Sequence, residues 1–258
     1  MYLPEIDYNK VTETIVSQLQ NYIERYGAKG GVIGLSGGVD SSVTAYLLRK
    51  ATDNIFALVM PSSSTPPNDV KDAIDVIKLL NIKDYKIINI DEIVDIFSKN
   101  IINRDNRVIG NVKARVRMTL LYAYAQTLDY LVIGTGDKSE ILLGYFTKYG
   151  DGGVDVLPIG ELYKTWVRKL AKAIGIPENI YTKPSSPALW TGQTAEGELG
   201  ISYEKADDIL FLLVEKRMGI EEIHKLTGYP IPTIERVYQL YVGSEHKRNM
   251  PPIMKISL

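Results

Sequence analysis

From Tyr8 to Tyr26 apolar side chains return at helical spacing, with Val11, Ile15, Leu19 and Ile23 on one face and Gly27 as the stop. The pattern then changes. Gly31-Val32-Ile33, Ile55-Phe56-Ala57-Leu58-Val59-Met60 and Tyr130-Leu131-Val132-Ile133 are short unbroken apolar runs. Runs without alternation predict strands covered on both faces, as in a parallel sheet. Tyr85-Lys86-Ile87-Ile88-Asn89-Ile90 predicts a further strand. Helical spacing returns between them: over Val43 to Leu48, and after a cap at Asn68 with Val70, Ala73, Ile74, Ile77 and Leu80 inward. It recurs over Glu92 to Phe97 and over Asn111 to Gln126, where Ala114, Met118, Leu121 and Ala125 form one stripe and Lys113, Arg115 and Arg117 sit beside it. Strands alternating with helices predict parallel β/α units, which bind ligands at the carboxyl ends of the strands. Gly34 and Gly134 then fall on the same edge of the sheet. The second half reads differently. Lys148 to Asp155 is a loop rich in glycine and acid, Thr165 to Ile174 a helix stopped by Gly175 and Pro177, and Tyr181 to Gly200 a long polar loop. Helices follow over Tyr203 to Arg217, Glu221 to Thr227 and Thr233 to Val242.

The expected class is α/β: a Rossmann-like doubly wound parallel sheet with flanking helices and a helical C-terminal region. It forms one domain, with a core over about residues 28–180 and a mobile loop and helical part over about 181–258. Composition narrows the function. The 258 residues are 45% hydrophobic, enough for a substantial core. A formal charge of -1 argues against a dedicated nucleic-acid binder. The absence of cysteine excludes disulfides, cysteine–zinc sites and a cysteine nucleophile, and 2 histidines leave little for a histidine metal cluster. No apolar run approaches membrane-spanning length and no signal-peptide core opens the chain, so a soluble cytoplasmic protein without membrane partners is expected.

The chemistry concentrates at Gly34-Leu35-Ser36-Gly37-Gly38-Val39-Asp40-Ser41-Ser42, between a strand and a helix. A loop there aims backbone N–H groups and the positive helix end at one point, which suits phosphate. Gly37 and Gly38 let the backbone approach closely, the serines add hydroxyls, and Asp40 can hold the magnesium that accompanies a nucleotide. It is not a Walker A loop, since no lysine precedes Ser41, and it is not a G-x-G-x-x-G dinucleotide fingerprint. The run from Ser36 to Ser41 resembles the pyrophosphate loop of the N-type ATP pyrophosphatases, which split ATP into AMP and pyrophosphate.

Further segments extend the resemblance. They are Gly110-Asn111-Val112-Lys113-Ala114-Arg115-Val116-Arg117-Met118, Gly134-Thr135-Gly136-Asp137-Lys138-Ser139-Glu140 and Gly144-Tyr145-Phe146-Thr147-Lys148-Tyr149-Gly150-Asp151-Gly152-Gly153. Leu157-Pro158, Glu198-Leu199-Gly200-Ile201 and Glu245-His246-Lys247-Arg248 follow in order. Together, over nearly the whole chain, they resemble the ammonia-dependent NAD synthetases. The resemblance implies attack of the nicotinate carboxylate of deamido-NAD on the α-phosphorus of ATP, then displacement of AMP by ammonia. It implies that Gly34, Leu35, Ser36, Gly37, Gly38, Val39, Asp40, Ser41, Thr135, Lys164 and Ser186 serve ATP. Asp40 and Glu140 match its Mg²⁺ ligands. Arg115, Lys148, Asp155, His246 and Lys247 match the deamido-NAD side, and Asp151 and Lys164 carry catalytic roles, Asp151 orienting ammonia. It also implies a homodimer with the dinucleotide near the subunit boundary. Two departures stand out: Ala195 replaces an acid that many relatives carry, and Ser185-Ser186-Pro187-Ala188-Leu189-Trp190 differs from the usual pattern in a loop that resembles a lid.

Two other readings remain at this stage. One is a different ATP pyrophosphatase, such as a GMP-synthetase-like amidase or a tRNA-modifying ligase. The other is a DNA-binding helix–turn–helix over Ile220 to Val242, which Glu221, Glu222 and Glu235 disfavour against phosphates. Glutamine-dependent relatives carry a glutaminase domain with a cysteine nucleophile; with no cysteine here, free ammonia, or ammonia from a separate protein, is the expected nitrogen source.

Overall fold

Gly31–Gly34 (β1) pairs in parallel with Ile55–Val59 (β2) on one side and Leu131–Ile133 (β4) on the other, and β2 pairs with Asp84–Ile87 (β3). The sheet order is therefore β3-β2-β1-β4 in this computed structural model, which describes residues 2–256. In chain order the helices of this first half are Tyr8–Arg25 (α1), Val39–Ala51 (α2), Pro67–Leu79 (α3), Asp91–Ser98 (α4) and Asn106–Leu128 (α5). Then come Lys138–Leu143 (α6), Lys164–Ala173 (α7), Glu178–Tyr181 (α8), Ala195–Leu199 (α9) and Tyr203–Leu210 (α10), extended by a π-helical turn over Phe211–Glu215. Ile220–Thr227 (α11), Ile231–Gly243 (α12) and Glu245–Arg248 (α13) close the chain.

The apolar runs explain the sheet. Val32, Ile33, Ala57, Leu58 and Val132 have almost no exposed surface, because helices cover both faces. On one face Leu19, Val43, Leu47, Val76, Val167 and Leu170 bring α1, α2, α3 and α7 into one core. On the other, Val94, Val116 and Ala125 bring in α4 and α5. This is the doubly wound arrangement expected from the pattern. Of the two edge strands, β3 is exposed and β4 is largely covered. The chain runs outward from β1 through β2 to β3, then returns to the other side of β1 for β4. The reversal opens a crevice between the carboxyl ends of β1 and β4. A third core, with Tyr203, Ile209, Ile223, Ile234 and Val237, joins α10, α11 and α12 to Leu142 and Leu143 of α6. The Glu221–Val242 helix pair is thus packed on α10 by its apolar residues.

Several element boundaries differ from the sequence reading; the strand read as Tyr85 to Ile90, for one, is Asp84–Ile87. Asn68 is not a cap: α3 starts at Pro67, whose fixed φ and missing N–H suit a first helical position. α5 starts at Asn106, because the Asp105 side chain accepts from Val108 N at 2.8 Å and extends the helix backward. Within the polar stretch 181–200, Thr194 caps α9, which buries Ala195 and Leu199 in the third core.

Candidate active site

The loop after β1 is knitted by its own hydroxyls. Ser36 Oγ accepts from Gly38 N at 3.2 Å, while Ser41 and Ser42 Oγ donate to Gly38 O at 3.1 and 2.8 Å. The Ser36 and Ser41 hydroxyls lie 3.1 Å apart. Gly37 has φ +77, and a Cβ there would meet Asp69 O at 2.1 Å, so the turn requires glycine. α2 begins immediately after, and the N–H groups of its first turn have no intrahelical acceptor.

Asp40, in that first turn, meets residues from two other helix starts. Lys164 Nζ, wholly buried, lies 2.6 Å from Asp40 Oδ2, 2.9 Å from Asp137 Oδ2 and 3.0 Å from Glu140 Oε1. Asp137 caps α6: its Oδ1 accepts from Glu140 N at 2.8 Å while Glu140 reaches back to its backbone, a capping box. Burial pushes the Asp137 carboxyl up to about 7; Asp40 adds to that and Lys164 opposes it. Burial also raises Glu140 well above the usual carboxylate range, with Asp137 and Asp40 adding to it. For Lys164 burial works downward, but the three carboxylates outweigh it and hold the ammonium charged. Carboxylate oxygens of Asp40, Asp137 and Glu140 come within 4.8 Å of one another, and Asp40 Oδ1 is buried without a hydrogen-bond partner. Hard oxygen donors so gathered could hold a cation such as Mg²⁺.

A cavity of about 800 Å³ opens from this point. Its walls include the glycine loop, Thr135, Glu140, Asp151, Ser186 and Lys247. Lys164 lies behind the acids in the wall. Ser186 spends its hydroxyl inside its own loop, donating to Gln193 O at 2.6 Å. That loop sits down on the cavity through Lys113, whose Nζ donates to Leu189 O at 2.9 Å and to Ser64 Oγ at 2.8 Å. Asp151, raised by burial, accepts from Thr147 N at 2.8 Å. Lys247 Nζ donates to Gly144 O and Phe146 O at 2.7 and 2.8 Å.

Arg115, Lys148, Asp155 and His246 are not among the cavity-lining residues. Three of them form a chain outside it: Arg115 Nη2 donates to Lys148 O at 3.3 Å, and Lys148 Nζ to His246 O at 2.9 Å. Asp155 accepts from Tyr122 OH at 3.0 Å and from Val132 N at 2.7 Å, tying its loop to β4. Arg117 does face the cavity, with Arg107 and Arg236 also on its wall. Arg117 Nε donates to Met60 O at 3.0 Å. Burial lowers Arg117 to about 10, against Asp151 and Asp91, so it stays charged at neutral pH. Its terminal nitrogens have no protein partner among the described residues. The signal for Arg117 was in the helix itself: it lies three residues after Ala114 and four before Leu121, on the inward stripe, whereas Arg115 does not. Asp137 was likewise visible as the first residue of Asp137-Lys138-Ser139-Glu140, a cap with an acid three residues on.

The family model for NAD synthase matches residues 11–251. The chain is 61% identical over 253 residues to the NH3-dependent NAD+ synthetase of Saccharolobus solfataricus, covering 98% of this chain and 91% of that one. With the protein of the same description from Sulfurisphaera tokodaii the identity is 55% over the same shares. Among solved structures, NH3-dependent NAD synthetase from Campylobacter jejuni, in complex with the nitrate ion, superposes with a TM-score of 0.83 at 35% identity, over 97% of this chain and 100% of that one. NMN synthetase from Francisella tularensis gives 0.85 at 34%, over 98% and 100%. With the glycine loop, the acid cluster and the sheet order all in one frame, a match of this extent means that the chain belongs to the NAD synthase family.

Proposed function

We propose that this protein amidates deamido-NAD with ammonia at the expense of ATP, through an adenylated carboxylate, releasing AMP and pyrophosphate as the last step of NAD formation. The observation that carries the reading is the juxtaposition of the glycine–serine loop with Asp40, Asp137, Glu140 and Lys164 at the β1–β4 crevice. A nicotinate carboxylate does not accept ammonia, because its leaving group would be oxide. One carboxylate oxygen attacks the α-phosphorus, the bond to the β-phosphate breaks, and pyrophosphate departs. Ammonia then adds to the activated carbonyl, loses a proton, and AMP leaves with the former carboxylate oxygen.

Such phosphoryl chemistry needs positioning and charge stabilisation above all. The N–H groups of the α2 first turn and the loop hydroxyls hold the phosphates. Asp40 and Glu140, backed by Asp137, have the oxygen donors for Mg²⁺, and the unpartnered Asp40 Oδ1 fits that role. Bound there, Mg²⁺ neutralises phosphate charge. Lys164 keeps the acids in register and adds a cation behind the phosphates. Arg107, Arg117, Arg236 and Lys247 supply positive charge for the dinucleotide's phosphates and carboxylate. Asp151, held by Thr147 N, faces the same cavity and is placed to orient the incoming ammonia.

The test is an incubation of the protein with ATP, Mg²⁺, ammonium and deamido-NAD carrying heavy oxygen in its carboxylate. The expected result is NAD, AMP and pyrophosphate in equal amounts, with one heavy oxygen in each AMP phosphate. Absence of NAD, or AMP free of label, overturns the reading. Nicotinate mononucleotide in a parallel tube shows whether the shorter acceptor is the preferred one.

A further inference from the structure

Asp207 on α10 lies outside the cavity and is fully buried. Its Oδ1 accepts from Ser139 Oγ at 2.5 Å, and its Oδ2 accepts from Thr165 N at 2.8 Å and Thr165 Oγ1 at 2.7 Å. Ser139 Oγ in turn accepts from Lys164 N at 2.8 Å. Ser139 immediately precedes Glu140, and Thr165 immediately follows Lys164. One carboxylate therefore ties together the first turns of α6 and α7, the two turns from which Glu140 and Lys164 project to meet at 3.0 Å. Three donors converge on it, which an acceptor-only carboxylate satisfies and an amide does not. Burying a charge is costly unless it is hydrogen-bonded in this way. The neighbouring Asp208 points elsewhere: it accepts from Leu3 N at 2.9 Å and Tyr229 OH at 2.9 Å, holding the N-terminal segment and the α11–α12 turn.

We propose that Asp207 is a positioning residue that sets Glu140 and Lys164 for MgATP, so that the C-terminal helical layer controls the geometry of the nucleotide end of the site. The proposal rests on the reading of that end as the ATP site. Displacement of either turn by a fraction of an ångström would spread the acid–lysine cluster, against which α10 also lays the Tyr203 ring, 5.2 Å from Lys164 Nζ.

The experiment is calorimetric titration of MgATP, without deamido-NAD or ammonium, into wild type, Asp207→Asn and Asp208→Asn, with thermal unfolding of each. Asp207→Asn is expected to weaken MgATP binding about 10- to 100-fold, as loss of an outer hydrogen-bond partner does at metal sites. Asp208→Asn is expected to lower the unfolding temperature yet bind within about twofold of wild type, because its carboxylate holds other elements. Wild-type affinity in Asp207→Asn, or equal weakening in both variants, overturns the proposal. Should Asp207→Asn fail to fold, Ser139→Ala reads the same link: weakened MgATP binding supports it and unchanged binding overturns it. A wild type that binds no MgATP would instead refute the functional reading beneath it.

Discussion

The acid end of the site and its cationic wall are built on opposite electrostatic plans. At the β1–β4 crevice three carboxylates surround one lysine that reaches all of them, while Asp40 Oδ1 keeps no partner. On the cationic wall stand Arg107, Arg117, Arg236 and Lys247, and none forms an ion pair with a carboxylate among the described residues. A cluster of acids gathered by one lysine has carboxylate oxygen to spare for a cation. The cationic wall, drawn on by Asp151 without a direct ion pair, ties Arg117 to Met60 O and Lys247 to Gly144 O and Phe146 O, and gains most when anions arrive. Under the proposed function, the metal and phosphates of ATP go to the acids and the anionic groups of the second substrate to the cationic wall.

The largest expected effect lies at the acid end. Asp40→Ala or Glu140→Ala should lower kcat/KM about 100- to 1,000-fold, the range for removing one electrostatic contact from a preorganised site. The measurement is steady-state NAD formation at varied Mg²⁺, and an effect below about tenfold would mean that the cluster is structural.

A second effect separates the acid end from its support. Burial raises the folded Asp207 carboxyl to about 6 from an ordinary 3.8, with its hydrogen bonds opposing. The protonated form therefore favours the fold: this contribution is complete below about pH 4 and is lost as pH rises through about 6. Relative to Asp207→Asn, wild type should lose up to about 3 kcal/mol of unfolding free energy between about pH 4 and pH 7. Denaturant titrations across that range check it.

Legibility in the sequence followed local physics. The unbroken runs at Val32, Leu58 and Val132 announced covered parallel strands, and Gly37 announced a turn that no other residue could make. The common edge of Gly34 and Gly134 followed from alternation alone, and β1–β4 pairing gives it. What depended on tertiary contact was less visible. Lys164 reads as an ordinary helix-start lysine until Asp40, 124 residues away, lies beside it. Asp207 is one acid in a helical run until Ser139 and Thr165 converge on it. Arg115 matched a motif, yet it turns outward to Lys148 while Arg117, two residues on, turns inward. Helix α9 was hidden because Ala195 and Leu199 gain their helical conformation from a cap and a core that the polar composition of 181–200 does not reveal.

The division of the cavity is tested most directly by titrating Arg117→Gln with each substrate separately. Loss of a charge-assisted contact should weaken deamido-NAD binding about 10- to 100-fold while MgATP stays within about threefold of wild type. Unchanged deamido-NAD binding, or a greater loss for MgATP, would contradict the assignment of the cationic wall to the dinucleotide.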